Sequence, residues 1–583
     1  MNPLAARPTP CSPRHADPRP PRREEIVQLE GATKRALEAG RSRLLVGAAL
    51  FALAFVAIAG RLVDVTLLED GIEPRMGGEQ RAIAAPVAER ADIVDRNGVV
   101  LATSLSTASL FANPHQIKDV DEAARELVAT LPGMSLPELK AKLGADKTFV
   151  WLQRNLAPRQ QLDVTRLGIT GLYFQADERR VYPLGALTSH IVGFTDIDNK
   201  GLGGIEQSFD DVLAGGRHPV QLSIDVRIQQ ILREELQRGI DDFTGIGGAG
   251  IVLDAQTGEI LALVSLPDFD PNQVAAASPD QRFNRATLGT YEMGSTFKTL
   301  NTAMALDSGK VRMTDTFDAA HTISIGRYTI HDFEPMRRAL TVPEIFMYSS
   351  NIGAARMAIL VGIDTQKAFM AKFGMLRPVS LELPELGKPQ YPADWRPINR
   401  MTIAYGQGIA VSAVHVVSAL AALVNGGVMR PATLIKRAPD EVSDGQRVIS
   451  ASTSQKMREL LRLVVQVGTG KSAEAPGYLV GGKTGTAQKQ KGRGYAPNAR
   501  LSSFLGAFPM NAPRYVVFAM VDEPKPNARS YGFATGGWVA APVVSRVVQR
   551  MAPMLGIAPI PKDAPEAQNE LLTQVSATAN AAE

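Results

Sequence analysis

The chain has 583 residues, more than one hydrophobic core organises, so two or more domains are expected. Hydrophobic residues make up 45% and charged residues 21%, an ordinary globular balance. The net charge of +4 is spread along the sequence rather than gathered into a patch, which argues against nucleic-acid binding, and the single cysteine, Cys11, excludes an internal disulfide.

Residues 1–43 form a Pro-, Arg- and Ala-rich tail, expected to be largely disordered. Between Arg43 and Arg61 runs LLVGAALFALAFVAIAG, 17 uncharged and mostly apolar residues. As a helix it would span roughly 25 Å, the lower limit for crossing a bilayer. Lys34, Arg35, Arg41 and Arg43 precede it, whereas only Arg61 and Arg75 occupy the next stretch. That bias places the tail in the cytoplasm and everything after the anchor outside. Ala57-Ile58-Ala59 resembles a signal-peptidase site. The run is long for a signal peptide and comes after a long tail, so an uncleaved transmembrane anchor over 44–61 is the favoured reading.

Residues 62–219 mix short strands and helices, an α+β region. In ADIVDRNGVVLATS, Asn97-Gly98 predicts a hairpin with a two-residue turn. Helical patterns cover 121–131 and 136–143. The pattern changes at VQLSID, from Val220, which leads into the amphipathic IQQILREELQRGI. Strands over 251–254 and 259–264 flank a turn at Ala255-Gln256-Thr257-Gly258. The preceding GIGGAG fits G-x-G-x-x-G, but it comes after a helix and enters a strand. That is the reverse of a dinucleotide site, so the match is discarded.

YEMGSTFKT, from Tyr291, predicts the opening of a helix whose Phe297, Leu300, Ala303 and Met304 share one face. Ser295 near its start has Lys298 one turn on, a hydroxyl beside an amine. That pair suits nucleophilic catalysis if burial or nearby charge keeps the lysine partly neutral. Alone, S-x-x-K is common enough that a solvated helix face is the better reading. Ser349-Ser350-Asn351, in FMYSSNIGAAR, is by itself an ordinary N-cap or turn.

GYLVGGKTGTAQK, from Gly477, satisfies two patterns at once. Gly477 to Thr484 fits the phosphate loop G-x-x-x-x-G-K-[ST], with VVFAMVDE downstream as a candidate Mg-binding strand end. Lys483-Thr484-Gly485 is also the K-T-G of penicillin-recognising serine enzymes. A phosphate loop must open a helix, but GTAQKQKGRGYAPNAR holds three glycines and a proline and no apolar stripe. Two short apolar runs come next, 501–508 and 515–521, predicted as antiparallel strands. Lys483 is therefore expected on or beside a sheet. After Ile557 the chain becomes a Pro-, Ala- and Glu-rich tail, 557–583, expected to be disordered.

With S-x-x-K, S-x-N and K-T-G in that order, residues 90–550 resemble the class B penicillin-binding proteins, within them the septal D,D-transpeptidase FtsI family. RADIVDRNG from Arg90, RVYP from Arg180 and GLGGIE from Gly201 resemble the three motifs of the family's N-terminal pedestal. LDAQTGEILALVSLPDFDPN and NRATLGTYEMGSTFK resemble the start of its transpeptidase domain. Ala91 stands where the family usually has Gly, and Met293 where Pro is common; neither is a reacting group. The resemblance implies a pedestal over 62–219 for dimerisation or partners. It implies over 220–556 a transpeptidase domain like the serine β-lactamases, an antiparallel sheet flanked by helices. It also implies roles. Ser295 would attack the D-Ala–D-Ala carbonyl, Lys298 would take its proton, and Ser349 with Lys483 would relay a proton to the leaving D-alanine. Asn351 would bind the donor peptide; Thr484 and Thr486, flanking Gly485, would hold its carboxylate. The Ser295 and Thr486 N–H groups would form the oxyanion hole. No metal or cofactor is implied. Stem peptides on lipid-linked glycan strands are the implied substrates and β-lactams the implied inhibitors. A polytopic membrane glycosyltransferase and other division proteins are the implied partners.

The elongation-specific sibling usually carries Asp at the third S-x-N position, so Asn351 favours the septal branch. A β-lactamase would not need the pedestal, and a non-catalytic division scaffold would be free to lose the reacting groups. The pedestal interval leaves no room for a glycan polymerase.

Overall fold

The computed structural model describes residues 45–59, 90–216, 218–326, 328–491, 494–561 and 563–565. The expected tail over 1–43 and both ends of the expected anchor lie outside them. Residues 45–59 are helical, with apolar side chains such as Phe51 and Leu53 exposed. Among the described residues no helix is long and apolar enough to cross a membrane.

The described residues from Arg90 onward form one compact unit with two large sheets. The first is built on β1 (Ile93–Val94), β2 (Val100–Ala112), β3 (Val150–Leu156) and β4 (Leu172–Val181). The β1–β2 hairpin forms, but its turn is longer than the two residues expected. Asp95 N–H bonds Val99 O at 2.8 Å, leaving Arg96–Gly98 as a three-residue turn with Gly98 left-handed at φ 86°. The Asp95 carboxylate decides this by accepting from Asn97 N and Val99 N. Behind the sheet, α1 (Val120–Thr130), α2 (Leu136–Leu143) and α3 (Pro158–Arg166) bury Leu127, Leu139, Leu143 and Val164 against Leu110 and Leu156.

Three separated sequence motifs meet at one carboxylate in this region. Fully buried Glu206, on the short helix α4 (Gly204–Ser208), takes Arg90 Nε and Arg180 Nε at 2.7 Å each. Arg90 also reaches Asp210, at 2.8 Å, and Arg180 donates to the Ala91 carbonyl. Strand β5 (Val220–Gln221) pairs in parallel with β1 and carries the chain into the second region.

There α5 (Val226–Asp242) precedes β6 (Gly247–Asp254) and β7 (Ile260–Leu266). GIGGAG is the entry to β6, as its order implied. Three strands late in the chain complete the second sheet: β8 (Gly481–Lys491), β9 (Gly494–Phe508) and β10 (Tyr515–Asp522). The order is β8-β9-β10-β6-β7, antiparallel throughout. Every residue of β6, β7 and β10 is buried because helices cover both faces. One face holds α5 and the C-terminal helix Gly536–Met554; the other holds the helix Ala413–Val424. Lys483 therefore lies in an edge strand and starts no helix. The Gly-rich segment after it, which had no strand pattern, nonetheless extends β8 and β9 as a hairpin, with Gln490 opposite Tyr495. Ile560 N–H bonds Gly477 O at 2.7 Å, so order continues past the point where the sequence suggested a tail begins.

Candidate active site

The Ser295 segment begins later as a helix than its pattern implied. Gly294–Phe297 is a 3-10 turn, and the α-helix proper, α6, runs Lys298–Asp307. The turn packs against edge strand β8. Gly485 permits this approach: a Cβ there would lie 2.3 Å from Ser503 Oγ and 2.9 Å from Met293 O. Ser349 and Asn351 come from the start of α7 (Asn351–Val361), whose N-cap is Ser350. Ser349 itself is left-handed, φ 60°, a conformation costly for a residue with a side chain.

The Ser295 turn and the start of α7 meet at Lys298, and β8 joins them through Lys483. Lys298 Nζ lies 3.1 Å from Ser295 Oγ, 3.1 Å from Ser349 Oγ and 2.7 Å from Asn351 Oδ1, and it also donates to the Ser349 carbonyl. Lys483 Nζ reaches the same Ser349 Oγ at 2.9 Å. Both lysines are at most 1% exposed. Burial holds Lys298 well below the usual lysine range; repulsion from Lys483 adds to this and the Asp332 carboxylate opposes it. Burial alone brings Lys483 down to about 7. An amine able to shed its proton, within reach of two hydroxyls, is chemically suited to acid–base work on either of them.

The other motif residues lie on β8 and at the start of α7. Thr484 is buried, with its Oγ1 2.8 Å from Thr469 Oγ1. Thr486 Oγ1 accepts from Gly536 N at 3.1 Å, which leaves its own proton free to donate. Both ends of the Asn351 amide are engaged, since Nδ2 donates to His331 O at 3.0 Å. A bound peptide would have to share that amide through its second hydrogen or lone pair. A cavity of about 480 Å³ bordered by Phe373, Arg377 and Arg430 contains none of these residues, so chemistry rather than cavity size locates the site.

Two carboxylates escaped the sequence reading. Asp332 accepts from Ser350 Oγ (2.7 Å), Asn351 N (2.5 Å) and Ile352 N (2.9 Å). Glu292, just ahead of the Ser295 turn, accepts from Gly408 N and Gln490 Nε2, each at 2.7 Å, and from Tyr495 OH at 3.0 Å. Burial pushes its carboxyl above the usual range. Asp332 sits in an unpatterned loop and carried no signal. Glu292 adjoined the S-x-x-K segment, but its partners are distant in sequence.

Known proteins share this fold. The penicillin-binding protein transpeptidase domain model matches residues 248–549, and the penicillin-binding protein dimerisation domain model matches 85–242. The chain belongs to the class B penicillin-binding proteins. It is 40% identical to the probable peptidoglycan D,D-transpeptidase FtsI of Caulobacter vibrioides over 85% of this chain and 84% of that one. With the peptidoglycan D,D-transpeptidase FtsI of Escherichia coli K12 it shares 27% identity over 89% of this chain and 92% of that one. Penicillin-binding protein 3 of Mycobacterium tuberculosis complexed with ampicillin superposes with a TM-score of 0.66 and 26% identity, covering 83% of this chain and 98% of that one. This class B protein is thus a peptidoglycan D,D-transpeptidase with a mixed α/β transpeptidase fold and a dimerisation domain. The dimerisation match reaches residue 242 and so includes α5, although α5 packs on the transpeptidase sheet.

Proposed function

We propose that this chain cross-links stem peptides through an acyl-enzyme on Ser295 and that it does so in septal wall synthesis. The observation that carries the chemistry is the buried Lys298 amine, 3.1 Å from both Ser295 Oγ and Ser349 Oγ. Ser295 Oγ attacks the carbonyl of the penultimate D-alanine while its proton passes to Lys298. The N–H groups of Ser295 and Thr486 stabilise the oxyanion. The bond to the terminal D-alanine then breaks, and its nitrogen takes the Ser349 hydroxyl proton, replaced from Lys298 or Lys483. An acceptor amine attacks the ester, gives up a proton by the reverse route, and frees Ser295. Asn351 orients the donor peptide, and Thr484 and Thr486 on β8 hold its terminal carboxylate. A β-lactam presents the same carbonyl and carboxylate and would stop at the ester.

Asn351 at the third S-x-N position and the similarity to two FtsI proteins support the septal assignment. Exposed apolar side chains along helical residues 45–59 support a single membrane anchor, with the catalytic region outside the cytoplasm. Glycan polymerisation would then fall to a polytopic membrane glycosyltransferase within the division machinery. Intact-mass analysis after penicillin exposure is the test. One adduct is expected, absent in Ser295→Ala; an undiminished adduct in that variant would sink the assignment.

A further inference from the structure

The left-handed Ser349 has to be held from outside its own segment, because its conformation is unfavourable for any side chain. The first turn of α7 also leaves backbone N–H groups without helical partners. One side chain meets both needs. Asp332, buried, accepts from the N–H groups of Asn351 and Ile352 through Oδ1 and from the Ser350 hydroxyl through Oδ2. Ser350 Oγ in turn accepts from Gly353 N at 2.9 Å. Three consecutive N–H groups are thereby satisfied, and Ser349 is fixed immediately before them. The neighbouring His331 carbonyl takes Asn351 Nδ2, which aims Oδ1 at Lys298.

The same carboxylate is an electrical neighbour of Lys298. Among the described residues, the charged groups acting on that amine are Lys483 on β8 and Asp332 in the segment ahead of α7; Ser295, Ser349 and Asn351 are neutral. We propose that Asp332 is a positioning residue of the transpeptidase site, locking the Ser349–Asn351 turn beside Lys298. Its negative charge also favours the protonated amine, against the larger effect of burial. This rests on the reading of Lys298 as the base that serves Ser295.

Rates of acylation by a fluorescent penicillin, measured against pH on the full-length protein, test the proposal. Asp332→Asn keeps an oxygen that accepts from the Asn351 and Ile352 N–H groups but removes the charge. Lys298 then loses its proton more easily, so the acid limb of the profile should move to lower pH by about half a unit, roughly threefold more neutral amine at a given acid pH. Asp332→Ser, also neutral, should move it the same way, which covers a failure of Asp332→Asn to fold. Ser350→Ala removes one cap without touching the charge and should lower the plateau with the limb unmoved. An acid limb at the wild-type position in both neutral variants, with Lys298→Ala inert, overturns this inference alone. Wild-type acylation by Lys298→Ala overturns it together with the reading of Lys298.

Discussion

The Glu206 joint and the Lys298 site both bury charged side chains, and they treat them in opposite ways. In the joint, Glu206 is matched by two guanidinium groups, whose remaining N–H groups go to Asp210 and backbone carbonyls. Every charge there has a counter-charge in hydrogen-bonding contact. At the site, Lys298 and Lys483 touch hydroxyls, an amide and carbonyls, and among the described residues no carboxylate is in contact with either. A buried ion with a matched partner stays an ion and serves as a fixed joint. A buried amine without one is pushed towards neutrality, which makes it useful as a base and costly to the fold.

The largest effect expected from breaking this contrast is on the Lys298 side. Lys298→Ala should reduce the second-order rate of penicillin acylation by at least about 10³-fold, since a proton-transfer group and its hydroxyl contacts are lost together. Stopped-flow labelling reads this directly, and a reduction under tenfold would remove Lys298 from the chemistry.

Lys483→Met sharpens the comparison because rate and stability should move in opposite directions. Acylation should fall by about 10²–10³-fold with the loss of an electrostatic group. Below pH 7 the variant should melt at a higher temperature than the wild type. Folding brings Lys483 from its usual 10.5 down to about 7, so the unfolded chain binds more protons between those values and wild-type stability rises with pH. The penalty is full below about 7 and gone above 10.5, so the two melting curves should converge as pH approaches 10.5.

On the pedestal side, Glu206→Ala leaves two buried guanidinium groups without a counter-charge. A loss of about 3–5 kcal/mol is expected, read as a lower denaturant midpoint. The intrinsic acylation of any folded fraction should be little changed. The smallest effect belongs to a pair in the same region with one largely exposed partner. Arg154 bonds Asp198, which is largely exposed, and Asp198→Asn should cost roughly 0–1 kcal/mol. A loss as large as that of Glu206→Ala would mean that burial is not what separates the two pairs.

Much of the molecule was legible in the residues themselves. Chemistry-bearing side chains at short spacing announce themselves, so Ser295 with Lys298 and the Lys483–Thr486 run could be singled out. The glycines and proline downstream of Lys483 were enough to reject the phosphate loop. Continuous apolar runs gave the central strands, and amphipathic spacing gave α1, α2 and α5. The β8–β9 hairpin beyond Gln488 was not legible, because its glycines and proline carry no strand pattern and its strands hold through pairing with each other.

What the sequence determined by itself was which reacting groups are present and on what kind of element each rides, since period, turn residues and local spacing are properties of adjacent positions. Only the tertiary structure decided what those groups are worth. It made Lys298 and Lys483 weakly basic by enclosing them, held Ser349 left-handed through Asp332, and tied Arg90, Arg180 and Glu206 into one joint. Burial and contact between distant segments set proton affinity and conformational strain, and neither is a property of any short stretch of chain.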